Sequence, residues 1–150
     1  MSLPQQVEEK PDFEGRLQGS FRGVMRWSQL TDLWTRIREQ EGWFVYLVGE
    51  APPGSPEAPA ELARFLDELE ALLRREHDYD YCGIVYADSL EAPELIKVYD
   101  PGNLGASCGS SGVKILPRWI ITRIPPVALQ PQEILPEGRR RWWRRIFGGA

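Results

Sequence analysis

The sequence predicts a single small α/β (α+β) domain with a central mixed sheet packed by two helices. Three observations support this prediction. A long apolar stripe at helical spacing occupies residues 59–77, and a continuous β-branched and aromatic run occupies residues 43–48. Strand-like and helical segments also follow one another in the order β-α-β-α-β-β-β. The chain has 150 residues, 42% of them hydrophobic, which suffices for one buried core.

The first half of the domain is predicted as strand, helix and strand. Residues 21–27 partly alternate between apolar and polar side chains, which favours a strand. A helix follows, because apolar residues recur at the i, i+3, i+4, i+7 spacing and Gly42 is placed to end it. These apolar residues are Leu30, Leu33, Trp34 and Ile37. Residues 43–48 then form a buried central strand.

The second half is predicted as a long helix and three strands. After the proline-rich loop 49–60, the helix runs to His77 with its apolar residues on one face. Those residues are Leu62, Phe65, Leu66, Leu69, Leu72 and Leu73. Residues 82–87 and 95–99 flank a short turn, which favours an antiparallel hairpin, and residues 118–124 form the last strand. Right-handed crossovers would place both helices against the sheet.

This order of elements fits a thioredoxin-like topology and other small α/β sandwiches about equally well. The chain has no Cys-x-x-Cys pair, so the redox motif of that fold is absent from the sequence. The predicted organisation is a flexible leader at 1–15, the α/β domain at 16–125, a proline-containing linker at 126–138 and a basic tail at 139–150.

The tail is the main candidate binding segment. Its candidate binding residues are Arg139, Arg140, Arg141, Trp142, Trp143, Arg144, Arg145 and Phe147. Without the five tail arginines the chain has 13 basic and 22 acidic side chains, a net charge of −9. In a helix the side chains of Trp142, Trp143, Ile146 and Phe147 would gather on one side. The tail thus combines a basic and an apolar surface on an acidic protein.

Such a segment suits an acidic groove of a protein partner or an anionic membrane surface. Two alternatives stay open. The tail could dock on its own acidic domain, or it could contact nucleic acid through arginine contacts and indole stacking. Nucleic acid is the less expected partner, because nucleic-acid-binding domains usually carry a basic stripe.

A different hypothesis is a small enzyme or ligand-binding domain that uses the loop 100–112. Residues 105–109 match the G-x-S-x-G pattern, but no strand precedes the serine and no histidine follows it, so a hydrolase is not predicted. Cys108 and His77, the only histidine, are weak candidates for a nucleophile and its base. No cofactor is predicted.

A metal site is not predicted either. The weak candidate ligands are His77, Asp78, Asp80 and Cys82. They offer nitrogen, oxygen and sulfur donors, but they lack the paired short spacings of zinc sites. If the third strand began here, alternation would place Asp78, Asp80 and Cys82 on one side of it.

The remaining features favour a cytoplasmic protein. The first ten residues lack the basic and apolar regions of a signal peptide, and no apolar run approaches the ~20 residues that span a bilayer. Cys82 and Cys108 are therefore expected to be reduced thiols. We expect a non-enzymatic accessory or adaptor protein that docks through its tail, in the cytoplasm or peripheral to the inner face of the membrane.

Overall fold

The computed structural model describes residues 12–102, 116–130 and 135–147. The helices in these residues are α1 (Phe13–Leu17), α2 (Trp27–Arg38), α3 (Pro59–Glu76) and α4 (Glu137–Phe147). The strands are β1 (Arg22–Val24), β2 (Phe44–Leu47), β3 (Val85–Ala87), β4 (Leu95–Val98) and β5 (Trp119–Thr122). The predicted β-α-β-α-β-β-β order is confirmed, with α1 added before it and α4 after it.

The described strands form one sheet in the order β1-β3-β4-β5-β2, and every neighbouring pair is antiparallel. The α/β class is confirmed, but the predicted mixed sheet is wrong, because every described strand pair is antiparallel. The thioredoxin-like topology that the order of elements left open does not apply, because it too needs a mixed sheet. The pairings make β1 and β2 point the same way, as expected for a crossover through α2, yet these strands lie at opposite edges. The three later strands fill the space between them, because a crossover sets strand direction and leaves adjacency open.

Helices α2, α3 and α4 share one core with the first face of the sheet. The apolar stripes predicted for α2 and α3 are confirmed, since every residue of both stripes is buried. Strand residues on this face include Val45, Leu47, Val85, Ile96, Val98 and Ile121. The alternate residues Tyr46, Leu95 and Ile120 face the other side, as the period of two in a strand requires.

The second face of the sheet is covered by a smaller cluster around α1. Phe13 is buried there against Tyr46, with their ring centroids 6.5 Å apart. Asp12 caps α1 by accepting a hydrogen bond from the Gly15 amide at 2.9 Å. The described end of the predicted leader is therefore a capped helix with a core residue.

Helix α3 packs against both α2 and α4. It begins at Pro59, and its terminal charges suit the helix dipole, with Glu61 in the first turn and Arg74 and Arg75 in the last. His77 follows as its C-cap. Like the other described helices, α3 is not both long and apolar enough to cross a membrane.

Candidate functional site

One side of α4 is part of the hydrophobic core. Trp142 and Ile146 are only 6% and 3% exposed. The Trp142 ring meets Phe65 of α3 and Trp119 of β5 edge to face, with centroid distances of 6.1 and 5.5 Å. The four apolar residues predicted on one side of the tail, Trp142, Trp143, Ile146 and Phe147, all pack against this core. The structure thus has the tail docked on its own domain.

The first turn of α4 is held by a partly buried charge network, the Asp100 cluster, in which Asp100 and Arg118 are buried, Arg139 is partly buried and Glu76 is exposed. Arg139 donates from Nε and Nη2 to the two carboxylate oxygens of Asp100, at 3.0 and 2.8 Å. Arg118 Nε donates to the same carboxylate at 2.7 Å, and both side chains of that pair are more than 90% buried. Arg139 Nη2 also donates to Glu76 at 2.6 Å. The cluster therefore ties α4 to the end of α3 and to the strand ends at β4 and β5.

The charges of this cluster stabilise one another. Burial alone would raise the pKa of Asp100, but hydrogen bonds from Arg139, Arg118 and the Gly102 amide hold that pKa below its ordinary value. The hydrogen bond to Asp100 in turn raises the pKa of Arg139. Two guanidinium groups thus face two carboxylates, and a buried ion network of this kind is stable only when each charge keeps its partners.

The remaining arginines of α4 comprise one anchored side chain and three exposed ones. Arg140 Nε donates to Glu50 at 2.7 Å, which ties α4 to the loop after β2. The exposed three, which we call the α4 arginine face, are Arg141, Arg144 and Arg145. Arg144 approaches Glu137 of the same helix at 3.7 Å. The other two form no ion pair with any residue that the structure describes.

The Asp100 cluster also joins the two ends of the loop that sequence analysis singled out. Asp100 is the first residue of this loop and Arg118 follows its end, and the two form an ion pair at 2.7 Å. Residues 103–115, which include the G-x-S-x-G match and Cys108, lie outside the described residues. A site built on Cys108 therefore stays a prediction.

His77 is buried after the last turn of α3 and its ring is held on two sides. His77 is only 6% exposed, and its Nε2 lies 2.8 Å from the Cys82 carbonyl oxygen. Because a carbonyl only accepts, Nε2 is the nitrogen that donates. The imidazole also stacks on Tyr79, with centroids 4.6 Å apart and planes 2° from parallel. These contacts orient the ring and occupy one of its two nitrogens.

The weak metal candidates do not form a common site. Asp78 and Asp80 are exposed, whereas His77 and Cys82 are buried. Burial raises the pKa of the Cys82 thiol, which disfavours the thiolate that a metal requires. Within the described part of the chain, no group of three His, Cys, Asp or Glu side chains could hold a metal ion. The condition for placing Asp78, Asp80 and Cys82 on one side of a strand is not met, because β3 begins only at Val85.

The same segment carries a surface that sequence analysis did not identify as a binding region. Tyr79 and Tyr81 are 57% and 48% exposed, and Met25 is 52% exposed. The two tyrosine rings are nearly perpendicular, with centroids 5.6 Å apart. We call Met25, Tyr79 and Tyr81, together with Asp78 and Asp80, the aromatic patch. The available signal was the Asp-Tyr-Asp-Tyr alternation directly after a helix end, a position where chain segments are usually exposed.

Comparison of the chain with protein-family models, with curated proteins and with solved structures finds no significant match. The exposed surfaces of α4 and of the aromatic patch are therefore the features that point to a function.

Proposed function

We propose that this protein is a non-enzymatic adaptor that binds an acidic segment of a partner protein through the α4 arginine face. The observation that carries the proposal is a helix fixed on the domain with three arginines left on its exposed side. Guanidinium groups bind carboxylates in a bidentate geometry that favours such a partner. A helix already seated on its domain loses little further conformational entropy on binding.

The position of the apolar side of α4 favours a protein partner over a membrane or nucleic acid. An interfacial helix inserts its apolar side into the lipid, but here Trp142 and Ile146 belong to the core. A membrane contact would then depend on charge alone, worth about 1 kcal/mol for each arginine near an anionic leaflet. Base stacking on Trp142 is disfavoured for the same reason.

The other functional expectations stay as the sequence left them. A small enzyme that uses Cys108 with His77 stays a prediction, because Cys108 lies outside the described residues, and the cytoplasmic location is likewise a prediction. The acidic partner is preferred because its binding surface consists of described, exposed side chains.

The test uses the full chain and a labelled peptide of alternating glutamate and serine. Arg141→Gln/Arg145→Gln should weaken peptide binding about tenfold at low salt, since each exposed ion pair is worth roughly 0.2–1 kcal/mol. The matched control is Arg22→Gln/Arg26→Gln, which removes two exposed arginines elsewhere. Fluorescence anisotropy measures the affinities. Truncation after Gly138 is a poorer test, because it also removes Trp142 and Ile146 from the core.

Parallel measurements separate the alternatives. Vesicles containing phosphatidylserine and a single-stranded oligonucleotide replace the peptide in otherwise identical titrations. Tighter binding to either of them, lost in the Arg141→Gln/Arg145→Gln variant, would assign the α4 arginine face to that partner instead. Equal loss of peptide binding in the control variant would show that only net charge matters and would refute the proposal.

A further inference from the structure

We infer that the aromatic patch is a second binding surface, which receives a basic segment of a partner protein through a lysine or arginine side chain. This surface lies beyond the proposed function of α4, and a different set of residues carries it.

The described residues have four exposed large hydrophobic side chains, Met25, Tyr79, Tyr81 and Val127. Three of the four belong to the aromatic patch. All but Val127 come from two segments joined by the backbone, since the Cys82 amide donates to the Met25 carbonyl at 2.7 Å. The Trp27 indole Nε1 also donates to the Tyr79 carbonyl at 2.9 Å. A single exposed apolar residue is ordinary, whereas a group of them with polar neighbours is typical of an interaction site.

The two tyrosine rings are held in position without a partner. Tyr79 is stacked on the buried ring of His77, and Tyr81 is perpendicular to both rings, with centroids 6.2 Å from His77 and 5.6 Å from Tyr79. Because His77 is itself hydrogen-bonded to the Cys82 carbonyl, the ring cluster is fixed from below. Ordered aromatic side chains provide contact area at a low entropic cost on binding.

The carboxylates beside the rings favour a cation as the occupant. Asp78 and Asp80 are exposed, and neither forms an ion pair with any residue in the described ranges. Both basic residues of the last turn of α3 have acidic neighbours, since Arg74 is paired with Glu70 at 2.8 Å and Arg75 lies 4.0 Å from Glu76. Tyrosine faces attract ammonium and guanidinium groups, and adjacent carboxylates add to that attraction.

The same chemistry occurs within the protein at the rim of the patch. The Arg74 guanidinium lies over the Trp27 ring, 4.7 Å from its centroid, while Glu70 pairs with that guanidinium. This arrangement combines an aromatic face, a carboxylate and a cation. The aromatic patch supplies the first two of these groups, and a lysine or arginine of the partner would supply the third.

The test titrates a nine-residue peptide of alternating glycine and arginine into the full chain labelled with ¹⁵N. Amide shifts are expected to concentrate in residues 77–83. Tyr79→Ala/Tyr81→Ala should weaken binding about tenfold, since a cation on an exposed aromatic face gains roughly 0.5–1 kcal/mol for each ring. Tyr79→Phe/Tyr81→Phe should bind almost normally, because it keeps both ring faces and the stacking on His77.

A second pair of variants tests the charges: Asp78→Asn/Asp80→Asn removes those of the patch. Its matched control, Asp32→Asn/Glu39→Gln, removes two exposed acids on α2 and at its C-cap. The inference predicts weaker binding in the first variant only. Equal weakening in both variants, or amide shifts centred outside the patch, would overturn it.

Sedimentation of the protein alone tests whether a second copy of the chain fills the patch. Self-association that Tyr79→Ala/Tyr81→Ala abolishes would show that it does, and would also overturn the inference.

Discussion

The first turn of the docked helix α4 and the aromatic patch both adjoin the C-terminal end of α3. The two regions differ in where their aromatic side chains are placed. In α4 the aromatic side packs into the core and arginines form the exposed side. In the aromatic patch the tyrosines are exposed, and a buried histidine supports them from below. Glu76, which pairs with Arg139, directly precedes His77, so the two regions are neighbours with opposite charge.

This difference shows that a conspicuous composition does not by itself identify a free surface. The tail is rich in tryptophan, but its apolar residues find partners in Phe65 and Trp119. The aspartate–tyrosine segment is less conspicuous in sequence, but its Tyr79 and Tyr81 rings are about half exposed. Burying apolar area stabilises the fold at about 25 cal/mol per Å², so an apolar helix side that can reach the core will usually be buried there.

The largest expected effect is the loss of stability when the packing of α4 on the core is weakened. Trp142→Ala should lower the free energy of unfolding by about 3–5 kcal/mol, the usual cost of removing a buried aromatic side chain. Tyr79→Ala in the aromatic patch should cost much less, because that ring is half exposed. Urea unfolding followed by circular dichroism measures both. A smaller loss for Trp142→Ala than for Tyr79→Ala would show that α4 does not contribute to the core.

The next largest effect concerns the Asp100 cluster. Asp100→Asn should cost about 3 kcal/mol, because two guanidinium groups would lose the charge they share in a buried site. Asp32→Asn, an exposed acid on α2, should stay within about 0.5 kcal/mol of the wild type. Equal stabilities of the two variants would mean that the cluster is not a structural anchor. Urea titration at neutral pH provides the comparison.

A moderate loss of stability is expected when His77, which lies beneath the aromatic patch, is replaced. His77→Ala removes the ring stacked on Tyr79 and leaves the buried Cys82 carbonyl without its donor, which should cost about 1–3 kcal/mol. Asp78→Asn next to it should be nearly neutral. Loss of Tyr79 ring order in NMR spectra of His77→Ala should accompany the destabilisation. Unchanged tyrosine resonances would contradict the proposed support.

The pH dependence follows from the pKa of Asp100. A pKa that is lower in the folded than in the unfolded state adds stability above the unfolded value, about 3.9 for aspartate. That stability is lost as the pH falls through the folded value. The stability difference between wild type and Asp100→Asn should therefore be constant near neutral pH and narrow below about pH 4. A difference that widens on acidification would contradict the lowered pKa. Thermal melts across this pH range test it.

The smallest expected effect separates binding from stability in α4. Arg141→Gln/Arg145→Gln should change the free energy of unfolding by less than about 0.5 kcal/mol, because both side chains are exposed. The matched comparison is Arg139→Gln, which removes hydrogen bonds to both Asp100 and Glu76 and should be clearly destabilising. Similar melting temperatures for the two variants would place Arg139 outside the structural network.

Local patterns predicted much of the fold, because they depend on near neighbours in the chain. The stripes of α2 and α3 have helical spacing, and burial of all four residues of β2 matches its uninterrupted apolar run. Strand adjacency could not be derived in this way, since β1 and β2 are linked by one helix but lie at opposite edges. Which strands are adjacent depends on β3, β4 and β5, which come later in the chain and lie between β1 and β2.

The candidate binding residues show the same limit. Helical spacing correctly grouped Trp142 with Ile146, and it could not show whether the group would face a partner or the core. The pairing of Arg139 with Asp100 spans 39 positions, and nothing local to either residue indicates it. The exposed tyrosines were missed because the alternation of residues 78–82 resembles a strand, whereas the chain there turns around a buried histidine.

The position of α4 at the end of the described chain also determines when the core can be completed during translation. This helix is synthesised after every other described element, yet it supplies Trp142 and Ile146 to the main core and Arg139 to the buried charges. A nascent chain that ends earlier would leave Phe65 and Trp119 without these partners and would leave Arg118 as the sole guanidinium on Asp100. Completion of the core is thereby coupled to completion of synthesis through residue 147, so that interrupted chains present an apolar surface that chaperones and proteases recognise.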